Sequence, residues 1–388
     1  MSEDVQTEEA RDEAKAQPRS SRAARAAAFD FLCRSLSGRA GPADTAELDW
    51  VALVEQANRE RVVTNLYAAF EQHGWPAGAP SDLREYLMLV HEANAAQNRV
   101  IRRQAIETAE ILNRAGASFV FLKGANWLLE VSEAKIGERW LADIDLAITP
   151  RDWAGGLAAI EAAGFRPVVD PAMYRRHFHH VPLARPGDAV TIELHRHLGW
   201  QRHLLTTDEV AGAARHAGAV ALSSPAHRFI YGSLHAQLQN MEYAAGNFSL
   251  RDLCDILYLA KTQKDSLDWQ AIASFARARG VFRYLAASLH LAHRLLGMDI
   301  PQPFADNPRA RRHATRCLLQ HRGNLRPRLT SIAVRFASLM DSRRLAYELN
   351  CEQAPWVVRQ PLIAGGRIAS AARRIFHGRV EAAPPPEA

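Results

Sequence analysis

Residues 139–149, RWLADIDLAIT, set two aspartates one residue apart inside an otherwise apolar run. If the run is a β-strand, successive side chains point to opposite faces, so Asp143 and Asp145 share one face while Ile144 and Leu146 share the other. One face is then core and the other a pair of carboxylates. Like charges at this spacing repel, and each raises the pKa of the other unless a cation lies between them. A hard divalent ion with oxygen ligands, magnesium first, is the natural partner.

The neighbouring segments give that strand a setting. Upstream, ASFVFLKGANWLLE (117–130) reads as strand, turn and helix. Downstream, TPRDWAGGLAAIEAAGF (149–165) reads as a helix with Thr149 as N-cap, Pro150 at the first helical position and Gly164 as stop. FRPVV (165–169), HHVPLARPG (179–187) and AVTIELHRHL (189–198) read as three further strands joined by turns. Residues 116–200 are therefore expected to form a small α/β unit with a mixed sheet.

On either side the apolar residues recur at helical spacing. TAELDWVALVEQANRERVVTNLYAAFEQHG (45–74) and the segment 81–116, which ends in Gly116, place a helical region over 25–115. After residue 200 the period returns. Ser224 and Pro225 open one helix, and Ser249 with Asp252 forms a capping box for another, so 201–376 is expected to be a helical C-terminal region. Residues 1–24 and 377–388 have the composition of a disordered arm and tail. The fold class is α+β, a small mixed-sheet core flanked by two helical regions.

Composition limits the function classes. The chain has 388 residues, 48% of them apolar, enough for a sizeable core, and a net charge of +6. The acidic start is unlike a signal peptide and no apolar run is long enough to span a bilayer, so the expected location is the cytoplasm. Cys33, Cys254, Cys317 and Cys351 lie far apart without a C-x-x-C pair, which fits neither a disulfide framework nor a thiolate zinc site. Arginines crowd into 309–328 and 366–379, where they decorate helix faces or attract an anionic partner.

In order along the chain, FVFLKGANWLL, ERWLADIDLAI, HHVPL and VTIELHRHL resemble a bacterial family of uncharacterised nucleotidyltransferases within the DNA polymerase beta-like nucleotidyltransferase superfamily. The shared features are the LKG turn, an Arg shortly before DIDL, and an acidic residue next to Leu-His in a later strand. The resemblance is strongest over 116–200 and extends weakly into SLRDLCDIL (249–257). Two departures stand out from the wider superfamily: Gly124 is followed by Ala125 where Gly-Ser or Gly-Gly is usual, and the third carboxylate is Glu193 where many members carry Asp.

The resemblance implies transfer of a nucleotide from a nucleoside triphosphate to a hydroxyl or similar acceptor. Asp143, Asp145 and Glu193 would be both catalytic residues and metal ligands, holding two Mg2+ ions, with Mn2+ as the alternative metal. Lys123, Gly124 and Arg139 would bind the nucleotide: Gly124 lets the backbone approach phosphate, Lys123 acts as a point charge and Arg139 as a two-pronged fork. His180 and His195 would orient a ligand carboxylate or line the acceptor's cleft. The histidines of HFHH (177–180) and HRH (195–197) match no zinc spacing. Arg251 and Asp255, one turn apart, read as a helix surface pair.

The partners expected are a nucleoside triphosphate and an acceptor that is a small molecule, sugar, peptide or protein, with nucleic acid ranked below these. Two other functions fit the same residues. One is a catalytically silent nucleotide- or partner-binding module of this fold, favoured by the Gly-Ala turn and Glu193. The other is an RNA-directed transferase or binder, favoured by the basic C-terminal region.

Overall fold

A computed structural model describes residues 20–323, apart from 42–44, 46–47 and 175–176. Residues 324–376 of the expected helical region, the 377–388 tail, Cys351 and the arginine-rich segment 366–379 therefore lie outside the described residues. The chain divides into two compact units, Met1–Glu92 and Ala93–Ala388.

The first unit is helical: α1 (Arg22–Ser37), α2 (Trp50–Arg59), α3 (Val63–His73) and the beginning of α4 (Ser81–Arg114). Ser21 and Asp49 cap α1 and α2 by accepting from the backbone N–H groups of Ala24 and Ala52. With Ser21 as cap, the first helix starts inside the stretch expected to be a disordered arm. Its core is aromatic, Phe31 meeting Trp50 edge-on at 6.3 Å beside Phe70.

A mixed sheet organises the second unit. In chain order its elements are β1 (Phe119–Phe121), α5 (Lys123–Glu130), β2 (Asp143–Ile148), α6 (Trp153–Ala162), β3 (Arg166–Pro167), β4 (Leu183–Ala184) and β5 (Thr191–His195). They continue with α7 (Thr207–Gly212), β6 (Arg215–Ala217) and β7 (Val220–Leu222). The strands lie in the order β3-β4-β5-β2-β1-β7-β6. The central pair β2 and β5 is parallel, as is β1 with β7, and the remaining pairs are antiparallel.

Strand alternation sorts the side chains as the sequence requires. Ile144, Leu146 and Ile148 of β2, Ile192 and Leu194 of β5, and Phe119 and Phe121 of β1 enter one apolar cluster. Each such side chain contributes roughly 2 kcal/mol by leaving water. Asp143, Asp145, Glu193 and His195 occupy the other face.

Three local expectations are corrected. Strands β6 and β7 come from the 201–376 stretch read as helical; at three residues each they are too short to show a period. The helix after β2 begins at Trp153, because Thr149 does not cap it and instead donates its hydroxyl to Asp152 at 3.0 Å. At the helix Leu250–Thr262 Ser249 accepts from the Asp252 N–H, but the Asp252 carboxylate faces Arg251, so only half of the capping box forms.

Helices complete the described unit: α8 (Pro225–Leu234), a π turn at His235–Gln239, α9 (Glu242–Ala245), α10 (Leu250–Thr262), α11 (Trp269–Ala278), α12 (Phe282–Leu296), α13 (Gln302–Ala305) and α14 (Pro308–Gly323). Ser224 caps α8 and Pro225 stands at its first turn. Among the described residues no helix is long and apolar enough to cross a membrane.

Candidate functional site

The parallel register of β2 and β5 sets Asp145 directly opposite Glu193 and Asp143 opposite Thr191. Asp145 is the focus. Its Oδ1 accepts from the Lys123 ammonium at 2.8 Å and from His195 Nε2 at 2.9 Å, while Glu193 Oε2 lies 4.0 Å from the same imidazole nitrogen. Asp145 and His195 are buried, Glu193 and Lys123 partly so. Ligand atoms of Asp145, Glu193 and His195 all fall within 4.8 Å of one another, and among the described residues this is the group able to hold a metal ion. The histidines at 177, 179, 180 and 197 form no such group.

Charge is unevenly balanced across the site. Burial by itself would raise the Asp145 carboxyl, but the Lys123 charge and the His195 hydrogen bond outweigh it and hold the group well below the usual carboxylate range. Asp143 is raised, by burial first and then by the Asp145 charge. Glu193 is pushed up to about 7 by burial and by Asp145. Burial holds the His195 imidazole neutral against the pull of Asp145. One carboxylate thus has a resident cation, and two lack full compensation.

Lys123 reaches Asp145 from a strained position. Its φ of 45° lies in the left-handed region that a lysine seldom adopts, at the first residue of α5. Neighbouring hydrogen bonds fix the turn: Asn126 Nδ2 and Ser223 Oγ both donate to the Phe121 carbonyl, and Asn126 Oδ1 accepts from the Ser223 N–H.

Arg139 pairs with an acidic side chain. Its Nε and Nη2 donate to the two oxygens of Asp255 on α10 at 2.8 and 2.9 Å, a bidentate pair with Arg139 buried. Gly124 is explained by the same contact. A Cβ there would stand 2.8 Å from Arg139 Cζ and closer still to Nη1, so glycine clears the seat of the guanidinium. Arg139 thereby clamps the segment before β2 to α10. The supposed Arg251–Asp255 surface pair gives way to Arg139–Asp255, and Arg251 faces Asp252 at 3.5 Å.

His180 stands apart from the carboxylates. Its Nδ1 donates to the Val181 carbonyl and its ring lies 6.2 Å from that of Trp153. The neighbouring His179 makes the approach instead, ring to ring with His195 at 5.1 Å and bridged to it through the backbone.

Several contributors escaped the sequence reading. Asn94 and Asn98, one turn apart on α4, donate to the carbonyls of Gly137, Ile136 and Arg139, and so hold the segment that leads into β2. Their i,i+4 polar spacing inside an apolar helix face was the available signal. Tyr231 on α8 is buried with its hydroxyl unpartnered among the described residues, and it lies within electrostatic reach of Lys123 and all three carboxylates. His235, in the π turn, is likewise held neutral by burial close to Lys123 and Asp145.

The family model described as uncharacterised nucleotidyltransferase matches residues 46–297. No curated protein and no solved structure matches the chain.

Proposed function

Since the chain belongs to the family of uncharacterised nucleotidyltransferases, we propose that it moves a nucleotide from a nucleoside triphosphate to a hydroxyl acceptor with the help of divalent metal, Mg2+ in the first instance. One observation carries the proposal: Asp143 and Asp145 share a strand face with Glu193, in register on the adjacent parallel strand. The surplus of carboxylates over local cations, with Asp143 and Glu193 both raised, is what a bound cation would relieve, so the residues fit the metal. Bound ions would neutralise charge developing on the phosphate and acidify the attacking hydroxyl.

The chain's own side chains would then act as follows. Asp145 and Glu193, which converge beside His195, would hold the metal, and Asp143, on the same strand face but outside that converging group, would join them as a further ligand. His195 orients Asp145 rather than ligating: its Nδ1 is buried without a partner among the described residues, and an unpaired buried N–H is rarer than an unpaired lone pair, which leaves the proton on Nε2 as donor to Asp145. Lys123 exchanges Asp145 for a phosphate oxygen when substrate arrives. Arg139, committed to Asp255, fixes the entry to β2 and the start of α5 through Gly124.

The Lys123–Asp145 pair also favours a second reading, a catalytically silent binding module, because a resident ammonium can stand where a metal would otherwise be needed. Calorimetric titration with non-hydrolysable nucleoside triphosphates, with and without Mg2+, separates the two. Metal-dependent binding that Asp145→Asn abolishes supports the transferase. Binding that is indifferent to metal and to the substitution supports the silent module, and no binding to any triphosphate removes the transferase.

A further inference from the structure

Beyond β5, on the β4 side, lies a cavity of about 560 Å³, within the range of small-molecule sites. Its lining residues include the aromatic Trp153, Tyr174, Phe178 and His180 and the basic Arg196 and Arg202. Among the described residues no carboxylate lines it. His179, another wall residue, touches the His195 ring, so the cavity adjoins the Asp145 site.

Position separates its role from that of Lys123. Lys123 follows β1 and reaches Asp145 from the β1 side of β2, whereas the cavity opens past β5 on the opposite side. The carboxylates thus stand between a cationic helix start and an aromatic, cationic chamber. In a transfer reaction the two sides suit two different reactants.

Chemistry narrows the occupant. Aromatic faces stack on any planar ring, and because every base has a flat face this stacking tolerates any base. The arginines supply permanent positive charge suited to a phosphate. His179 and His197, pushed down by burial to about 3 and about 4, are neutral and add polarity without charge. A cationic acceptor would meet two arginines and no carboxylate among the described lining residues, and a sugar lacking a flat ring would leave the aromatic wall unused.

We propose that this cavity is the acceptor pocket and that it receives a nucleotide unit, a flat base carrying phosphate, either free or at the end of a strand. The word acceptor rests on the transferase reading above; the pocket and its ligand class do not.

The test is calorimetric titration of the full chain, without divalent metal, with the four common ribonucleoside 5′-monophosphates, with adenosine and inorganic phosphate as controls. At least one monophosphate should bind tenfold or more tightly than either control. Trp153→Ala and the exposed Arg196→Gln, each verified as folded by circular dichroism, should weaken that binding at least fivefold, and Asp145→Asn should leave it intact. Absence of monophosphate binding, equal binding by phosphate alone, or wild-type affinity in both cavity variants would overturn the proposal. A trinucleotide that binds at least as well as the monophosphate identifies a strand end, and weaker binding identifies the free nucleotide. Monophosphate binding that persists where triphosphate binding fails leaves the pocket standing and removes the transferase.

Discussion

The two flanks of β2 treat polar groups in opposite ways. On the β1 and β7 side Asn126, Ser223 and the Phe121 carbonyl satisfy one another, and Glu130 joins Arg215 and Arg228. On the β5 and β4 side His195 keeps a buried nitrogen that no described residue partners, Glu193 is pushed up to about 7, and the surface opens into an aromatic cavity. Polar groups that hold the chain in place are paired, at a net gain of about 1 kcal/mol for each hydrogen bond. Groups left under-satisfied cost stability, and such positions concentrate at functional sites. The contrast therefore separates scaffold from site without any reference to a ligand.

The harshest challenge to that division is removal of its shared carboxylates. Asp143→Asn and Asp145→Asn are expected to lower nucleotidyl transfer by about a thousandfold or more, ~4 kcal/mol of barrier, while the circular dichroism spectrum is unchanged. Near-normal turnover in either variant would place the chemistry elsewhere. On the scaffold side, Arg139→Ala should cost ~2–3 kcal/mol in urea unfolding, below the range for a fully buried pair. The discount follows from Asp255, whose side chain is 34% exposed. Should the variant lose activity yet keep its unfolding midpoint, Arg139 would belong to the substrate after all.

Glu193→Gln sharpens the contrast because activity and stability should move in opposite directions. The Glu193 pKa in the folded chain stands above its ordinary value, so the native state holds the proton more tightly than the unfolded state does. The penalty for ionising it is absent below pH about 4.5, grows as the pH rises, and is complete above about 7. In metal-free buffer the Gln variant should match the wild type at pH 4 and exceed it by ~1–2 kcal/mol at pH 8, while losing turnover. A constant difference in urea midpoint across that range would mean that the buried charge is already compensated.

Much of this arrangement was legible in the sequence, and what was not is non-local. The apolar alternation around Asp143 and Asp145, and again around Glu193, gave the strands and the face each carboxylate occupies, because a period of two is a local property. Ser224 with Pro225 marked a helix start for the same reason. Strands β6 and β7 were invisible: three residues carry no period, and pairing with β1 supplies what they lack. No spacing rule could join Arg139 to Asp255, 116 residues away, or explain Gly124 by a side chain from another segment. His195 stands two residues after Glu193 and so shares its face, but its bond to Asp145 depends on the parallel register, which sequence alone left open.

The smallest effect is expected on the satisfied flank, where Glu130 receives two arginines of different exposure. Arg228 on α8 has 7% of its side chain exposed and Arg215 on β6 has 56%. Both touch the same carboxylate, so charge and partner are held constant and only solvent differs. An exposed pair is screened by water and loses side-chain entropy on forming, which leaves about 0–1 kcal/mol. The buried arm is less screened, and its removal also strands part of Glu130 away from water. Arg228→Ala should therefore cost ~2 kcal/mol in urea unfolding and Arg215→Ala ~0.5 kcal/mol or less. Equal losses would show that Glu130 is worth the same to both partners and that burial does not distinguish scaffold from surface here; a larger loss at Arg215 would mean that β6 depends on the contact for its place at the sheet edge.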